Sequence, residues 1–384
     1  MGRNLVICCD GTNNEFGSEN TSVVRIVEVL NRDPQHQLVF YDPGVGTLPE
    51  EGLVTSAGKW LSKAFGLAFG IGLMRNVDDA YRFLMRYWQP GDRVFLFGFS
   101  RGAYTVRALA SMLHMFGLLP AGNENLLPYV LRLFKSSGKK LKKKDSRASR
   151  EYWNLCDSFR QTFARAIPER PDRRFQVHFM GAWDTVSSVG WMWDPVRLPF
   201  TRSNPSVAIV RHAVAIDERR CFFRQNLFTK AGAQDLQELW FAGVHSDVGG
   251  GYPEADGGLW REAYSWMLTE AKSAQLVALA GEEQRVLSRV QAPLQPWCEK
   301  QHESLTVAWW IAEFFPKLPH RKKGLPWPRL GLGSRRRLPK GSRLHPSVVR
   351  RLCDLGDGYA PKNLSPQFMA ALRKDDRMDP VVPL

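Results

Sequence analysis

Residues 94–104 read Val-Phe-Leu-Phe-Gly-Phe-Ser-Arg-Gly-Ala-Tyr, an apolar run that breaks at Gly98-Phe99-Ser100-Arg101-Gly102. Pro90-Gly91-Asp92 ahead of it is a turn signal, and Arg93 to Phe99 has the composition of a buried strand. Behind it, Ala103, Val106, Leu109, Ala110, Leu113 and Phe116 recur at helical spacing and predict one apolar helix face. A serine at such a junction sits on a sharp strand-to-helix turn with its hydroxyl presented at the end of a sheet, the geometry of a nucleophile elbow. Glycines two before and two after Ser100 let the chain turn tightly and let helix and strand approach, where a Cβ would clash. The competing reading is a tight structural turn in another kind of α/β protein.

Working outward, strand-like runs alternate with helical stretches, the pattern of a mostly parallel sheet covered by helices on both faces. The expected strands are Leu5–Cys9, Gln37–Tyr41, Arg93–Phe99, Phe175–Ala182, His212–Ile216 and Glu238–Val244, and each ends in a loop of small or polar residues. Helices are expected over Arg75–Trp88, Trp260–Leu279 and Glu282–Val290. In an open parallel sheet the carboxyl ends of the strands share one edge, where ligands bind. The expectation is an α/β core over residues 1–280, with a basic insertion near 135–150, and a helical, basic extension over 281–384 packed on it.

Composition supports one large domain: 384 residues with 44% hydrophobic content can bury a substantial core. The six cysteines lack metal-ligand or Cys-x-x-Cys spacing and read as reduced thiols, with Cys8 and Cys9 pointing to opposite faces of a strand. No metal and no cofactor are expected. Residues 4–9 (Asn-Leu-Val-Ile-Cys-Cys) read as a first strand and not as a secretion leader, and the uncharged stretches 64–74 and 108–123 are too short to span a bilayer. The chain is therefore expected in the cytoplasm as synthesised, with export by a leaderless system open.

The formal charge of +15 is unevenly spread. Residues 135–150 hold eight Lys and Arg against Asp145, and residues 317–351 hold twelve with no acid, so the rest is mildly acidic. Both basic segments could meet an anionic membrane surface or nucleic acid, or could be solvated loops. No specific nucleic-acid partner is expected.

A serine hydroxyl needs a base within hydrogen-bond reach, itself oriented by a carboxylate. Among eight histidines, His245 alone directly follows a late strand in a glycine-rich loop, His245-Ser246-Asp247-Val248-Gly249-Gly250-Gly251. His212 opens a strand in this reading, and His114 and His178 lie within a helix and a strand. The orienting acid is first Asp184, at a strand end between Ser100 and His245 in chain order; Asp217 and Asp247 are the alternatives. Oxyanion donors are expected from the amide of Arg101 and from the loop after the first strand, through Gly11 or Thr12, with Asp10 and Asn13 supporting that loop. Asp10 could instead be a phosphoryl nucleophile, although Thr12 stands where a second acid is usual.

Seven blocks in order, Leu5–Asn14, Tyr41–Thr47, Phe97–Arg107, Gly181–Gly190, His212–Phe223, Trp240–Tyr252 and Leu344–Val348, resemble the bacterial and fungal α/β hydrolases that supply the catalytic module of type VI secretion phospholipase effectors. The resemblance covers roughly residues 4–350. It implies an α/β-hydrolase fold, a Ser-Asp-His triad and cleavage of a phospholipid or other lipid ester, with Ser100 and His245 on the family's pattern. Those effectors carry a further membrane-anchoring part, and little beyond the catalytic module is expected here. Independent of the resemblance, the apolar stretch Leu53–Leu73 reads as a lid over the sheet edge, and Trp191 and Trp193 as aromatics near it. An anionic membrane is the expected peripheral partner, and a non-catalytic module binding membrane or nucleic acid is the alternative function.

Overall fold

Alternation along the first strand sets the layers: in β1 (Asn4–Cys9), Leu5, Ile7 and Cys9 pack into one hydrophobic cluster, Val6 and Cys8 into another on the opposite face. The computed structural model describes residues 2–11, 17, 19–44, 69–140, 146–168, 170–186, 190–191, 194–195, 198–289, 295–314, 330–375 and 380–383. After β1 the strands are β2 (Gln37–Asp42), β3 (Arg93–Phe99), β4 (Val177–Trp183), β5 (Gly190–Trp191), β6 (Asp194–Pro195), β7 (Val207–Ala215), β8 (Asp235–Phe241) and β9 (Arg343–Leu344). The helices are α1 (Ser22–Val29), α2 (Phe69–Tyr87), α3 (Arg101–Phe116), α4 (Leu127–Lys140), α5 (Arg147–Phe163), α6 (His245–Gly249), α7 (Trp260–Ser273), α8 (Ala280–Ser288), α9 (Val307–Glu313), α10 (Pro346–Leu355) and α11 (Pro366–Lys374).

Seven strands form one sheet in the order β2-β1-β3-β4-β7-β8-β9, every neighbouring pair parallel, and β5 and β6 make a small separate hairpin. Helices α2, α3, α4 and α5 cover one face, and α1, α7 and α8 the other. A third cluster joins Trp240 and Leu344 of the last strands to α10 and α11. This is the α/β architecture expected, a parallel sheet buried on both faces. The chain steps from β1 to β2 on one side and to β3 on the other, so a crevice opens at the carboxyl ends of β1 and β3.

Several local expectations are corrected. Strand β7 begins at Val207, so His212 lies well inside it and does not open it. Arg211, just ahead of the expected start, is buried inside the strand, where Asp235 and Glu270 pair with its guanidinium. Helix α2 starts at Phe69, earlier than Arg75. The proposed lid lies outside the described residues up to position 68, as do Trp193, the side chain of Trp191 and residues 141–145 of the basic insertion. In the second basic segment, Arg336 and Arg351 are buried, so that stretch is not simply solvated surface. No helix among the described residues is long and apolar enough to cross a membrane.

Candidate active site

Ser100 follows β3 with φ 57° and ψ −115°, a conformation that L-residues rarely hold. Such strain costs of order 1–3 kcal/mol and persists only when the surroundings over-determine it. They do here. A Cβ on Gly98 would sit 2.6 Å from the Ala103 amide nitrogen, and one on Gly102 would sit 2.0 Å from the Cys9 carbonyl oxygen. The two glycines thus let α3 start directly beneath the turn and press against the end of β1. The Ser100 amide donates to the Trp183 carbonyl at 3.0 Å, and the Val186 amide donates to the Ser100 carbonyl at 3.4 Å, tying the turn to the end of β4.

Phe99 and Trp183 are register partners in the β3–β4 ladder, so Ser100 and Asp184 occupy the same step of adjacent strands. Strands in a sheet lie about 4.8 Å apart, which sets the lateral spacing of these two positions. His245 opens α6 after β8 and reaches back across β7, donating its Nδ1 hydrogen to Asp184 Oδ2. Its ring stacks on Phe99 at 4.6 Å between centroids and meets Phe223 edge-on at 4.8 Å. Gly249 allows this approach, since a Cβ there would lie 1.9 Å from the Phe99 ring. Among the described residues no hydrogen bond joins the Ser100 hydroxyl to the His245 ring. Catalytic hydrogen bonds commonly tighten only when substrate is bound.

Asp184 is fully buried, with φ 38°. Burial alone would raise its carboxyl, but the charge of Arg336 and the His245 hydrogen bond outweigh that and hold it well below the usual carboxylate range. Arg336 approaches in a fork, Nη1 to Oδ1 at 2.5 Å and Nη2 to Oδ2 at 2.9 Å, and the Ala215 amide also donates to Oδ1 at 3.0 Å. An ionised Asp184 accepts only, so the proton between it and His245 belongs on Nδ1 and Nε2 is left with its lone pair. Burial lowers the His245 imidazole from its ordinary value, partly opposed by Asp184. Burial thus biases the ring toward its neutral form.

The other acids are held elsewhere. Asp217 accepts from the Gly243 amide at 2.8 Å and from the Tyr359 hydroxyl at 3.0 Å, and burial pushes its carboxyl up to about 6. Asp247 accepts from the Val244 amide at 3.0 Å and from His302 Nδ1 at 2.6 Å. Neither bonds the His245 ring. Asp10 accepts from the Thr21 hydroxyl at 2.6 Å and from the Gly11 amide at 2.7 Å. The Gly11 amide donates to its neighbour's carboxylate, and Thr12 and Asn13 lie outside the described residues. Arg101 supplies the first amide of α3, where the helix dipole favours negative charge.

Sequence reasoning missed two supports. Glu218 accepts from the His245 amide at 3.2 Å and from the Ser304 hydroxyl at 2.9 Å. Burial raises its carboxyl, and the paired Arg220 outweighs this and holds it at about 2. Arg336 gave no signal, standing in the run Arg335-Arg336-Arg337. A cavity of about 240 Å³ lies away from this cluster, lined by Met115, Trp153, Cys156, Asp157, Arg160, Arg174 and Phe200, and shares none of its residues.

Residues 3–270 match the family model described as T6SS, phospholipase effector Tle1-like, catalytic domain. The chain belongs to this family. An uncharacterised protein of Saccharomyces cerevisiae is 34% identical over 236 residues, which is 59% of this chain and 33% of that protein. Two solved structures are similar: an uncharacterised protein from Pseudomonas aeruginosa (16% identity, TM-score 0.42, 76% of this chain and 48% of that one) and the Tle1 effector bound to the VgrG spike from the type VI secretion system (18% identity, TM-score 0.35, 65% and 51%). The chain matches about a third of the length of the yeast relative and about half of each solved chain.

Proposed function

We propose that this Tle1-like domain is a serine hydrolase that cleaves a carboxylic ester of a phospholipid or related lipid, with Ser100 as nucleophile, His245 as general base and Asp184 as the acid that orients it. The observation that carries the reading is the His245–Asp184 hydrogen bond, with Ser100 one strand away on the same register step. In the reaction His245 Nε2 takes the Ser100 hydroxyl proton as Oγ attacks the ester carbonyl carbon. The tetrahedral oxyanion is held by the Arg101 amide at the start of α3 and by a second donor from the loop after β1, for which Thr12 remains the candidate. The imidazolium, stabilised by Asp184, then protonates the leaving alcohol. Water, deprotonated by His245, attacks the acyl-serine and releases the fatty acid.

A lipid substrate has support beside the family. Val307, Trp310 and Phe314 are exposed at helical spacing along and just past α9, with Leu330 and Leu332 exposed as well. The buried side of the same helix packs Trp309 onto Phe223, the residue that touches the His245 ring. An apolar face this close to the base, in a segment rich in Lys and Arg, fits an anionic lipid surface. Export as an effector belongs to the same proposal.

Short-chain p-nitrophenyl esters and mixed phospholipid vesicles test it. Turnover and fluorophosphonate labelling are expected in the parent chain and absent in Ser100→Ala, with the circular dichroism of both unchanged. Equal turnover in the two proteins refutes the nucleophile, and a folded parent that neither turns over nor labels refutes the enzyme.

A further inference from the structure

Arg336 lies 152 residues beyond Asp184 in the chain and beyond the stretch matched by the family model, which ends at residue 270. Its guanidinium is nevertheless buried against the acid of the proposed triad. Besides the two bonds to Asp184, Nη1 donates to the Ala215 carbonyl at 3.0 Å and Nη2 to the Phe223 carbonyl at 2.6 Å. One planar group therefore joins the ends of β4 and β7 to the loop whose Phe223 ring lies edge-on to His245. The backbone that carries it is held on both sides. The Gly333 amide donates to Glu313 Oε2 at 3.1 Å, Arg219 Nε donates to the Gly333 carbonyl at 3.2 Å, and Asn363 Nδ2 donates to the Arg336 carbonyl at 3.2 Å.

A carboxylate that only had to be neutral inside the protein could be matched by any cation. Asp184 has to do more, since one lone pair of Oδ2 must stay aimed at His245 Nδ1. With Oδ1 held by Arg336 and the Ala215 amide, and the second position of Oδ2 held by Arg336, the carboxylate has no room to rotate. A lysine offers a point charge and cannot span both oxygens in one plane, whereas a guanidinium is shaped for that.

We propose that Arg336 is a positioning residue for the hydrolysis: its fork fixes the Asp184 carboxylate in the orientation that holds His245, so the active site is completed by a segment beyond the stretch that the family model matches. The inference rests on the serine-hydrolase reading. The guanidinium also sets a positive charge across the Asp184 carboxylate from the imidazole, beside Arg220, whose charge disfavours a second proton on His245, and against Asp184 and Glu218, which favour one.

The test compares the parent chain with Arg336→Met and Arg336→Lys on a p-nitrophenyl ester, recording kcat, KM and the pH profile of kcat/KM. Both variants are expected to lose about a hundredfold in kcat, the order that misplacing a catalytic group by an ångström brings, with KM little changed. In Arg336→Met the acidic limb is expected to move up by about one pH unit, because removing a nearby positive charge makes the imidazolium easier to form. Arg336→Lys keeps the charge and is expected to show the loss in kcat with little movement of the limb. Should Arg336→Met fail to fold, Arg336→Lys decides: parental kcat overturns the fork, and a lowered kcat with an unmoved limb supports it. Parental kcat and limb in a folded Arg336→Met overturn the inference outright, as does a defect confined to KM. A parent chain that is itself inert and unlabelled by fluorophosphonate refutes the hydrolase reading instead, so the two failures are distinguishable.

Discussion

Asp184→Asn removes one charge and swaps one acceptor for a donor at a site where every neighbour donates. If the amide nitrogen takes the Oδ1 position, it faces Arg336 Nη1 and the Ala215 amide; if it takes the Oδ2 position, it faces Arg336 Nη2 and His245 Nδ1. Either way two donors point at a donor. The second orientation also forces the imidazole proton onto Nε2, the nitrogen that must receive the Ser100 proton. By analogy with triads whose aspartate is changed to asparagine, kcat should fall about 10³–10⁴-fold, which is about 4–5.5 kcal/mol in the barrier. Stability falls too, because a buried guanidinium left without its anion costs about 3–5 kcal/mol. A domain with about 5–15 kcal/mol in hand can survive that. The assay is therefore kcat on a p-nitrophenyl ester well below the melting midpoint, with the folded fraction measured by circular dichroism. Asp217→Asn and Asp247→Asn serve as comparisons and should stay within tenfold of the parent. An Asp184→Asn chain that is folded and within tenfold of the parent, or a larger loss in either comparison, refutes the assignment.

Asp217 gives a stability prediction of opposite kind. Its carboxyl is raised to about 6 when folded, so the folded chain holds this proton more tightly than the unfolded one, and stability is lost as pH rises from about 4 to 6. The loss is about 3 kcal/mol for a shift of roughly two pH units. Asp217→Asn can still accept from Gly243 and Tyr359, and it should melt higher than the parent at pH 7.5 and equally at pH 4; no difference at pH 7.5 speaks against the raised carboxyl. The lowered His245 imidazole predicts that the acidic limb of kcat/KM has its midpoint below pH 6.5, and a midpoint above 7 would exclude a buried neutral histidine as the base.

The sheet and the elbow were legible because they depend on short-range pattern. Gly98 and Gly102 carry the turn, and strands buried on both faces read as apolar runs. The place of His245 at the sheet edge was legible for a similar reason, since it follows a strand at the start of a glycine-rich loop. Which carboxylate meets that ring was harder to read, since Asp184 and Asp217 both end neighbouring strands and only lateral packing decides between them. Arg211 hid the first half of β7, because its neutralising partners, Asp235 and Glu270, come from other elements. Arg336 is the clearest limit: three arginines in a row look alike, and which one is buried follows from how a distant strap crosses the sheet edge. The same tertiary fact corrects the view of that basic segment as mere surface.

That long reach has a consequence for the nascent chain. At about 5–20 residues per second, the ribosome needs on the order of ten seconds after delivering Asp184 to deliver the arginine that clamps it, 152 positions later. Throughout that interval β3 and its two neighbours, β1 and β4, are already synthesised while Asp184 lacks its guanidinium partner. Translation that stops short of position 336 would then leave a fragment whose Asp184 lacks its guanidinium partner and which, on the serine-hydrolase proposal, has little power to cleave an ester.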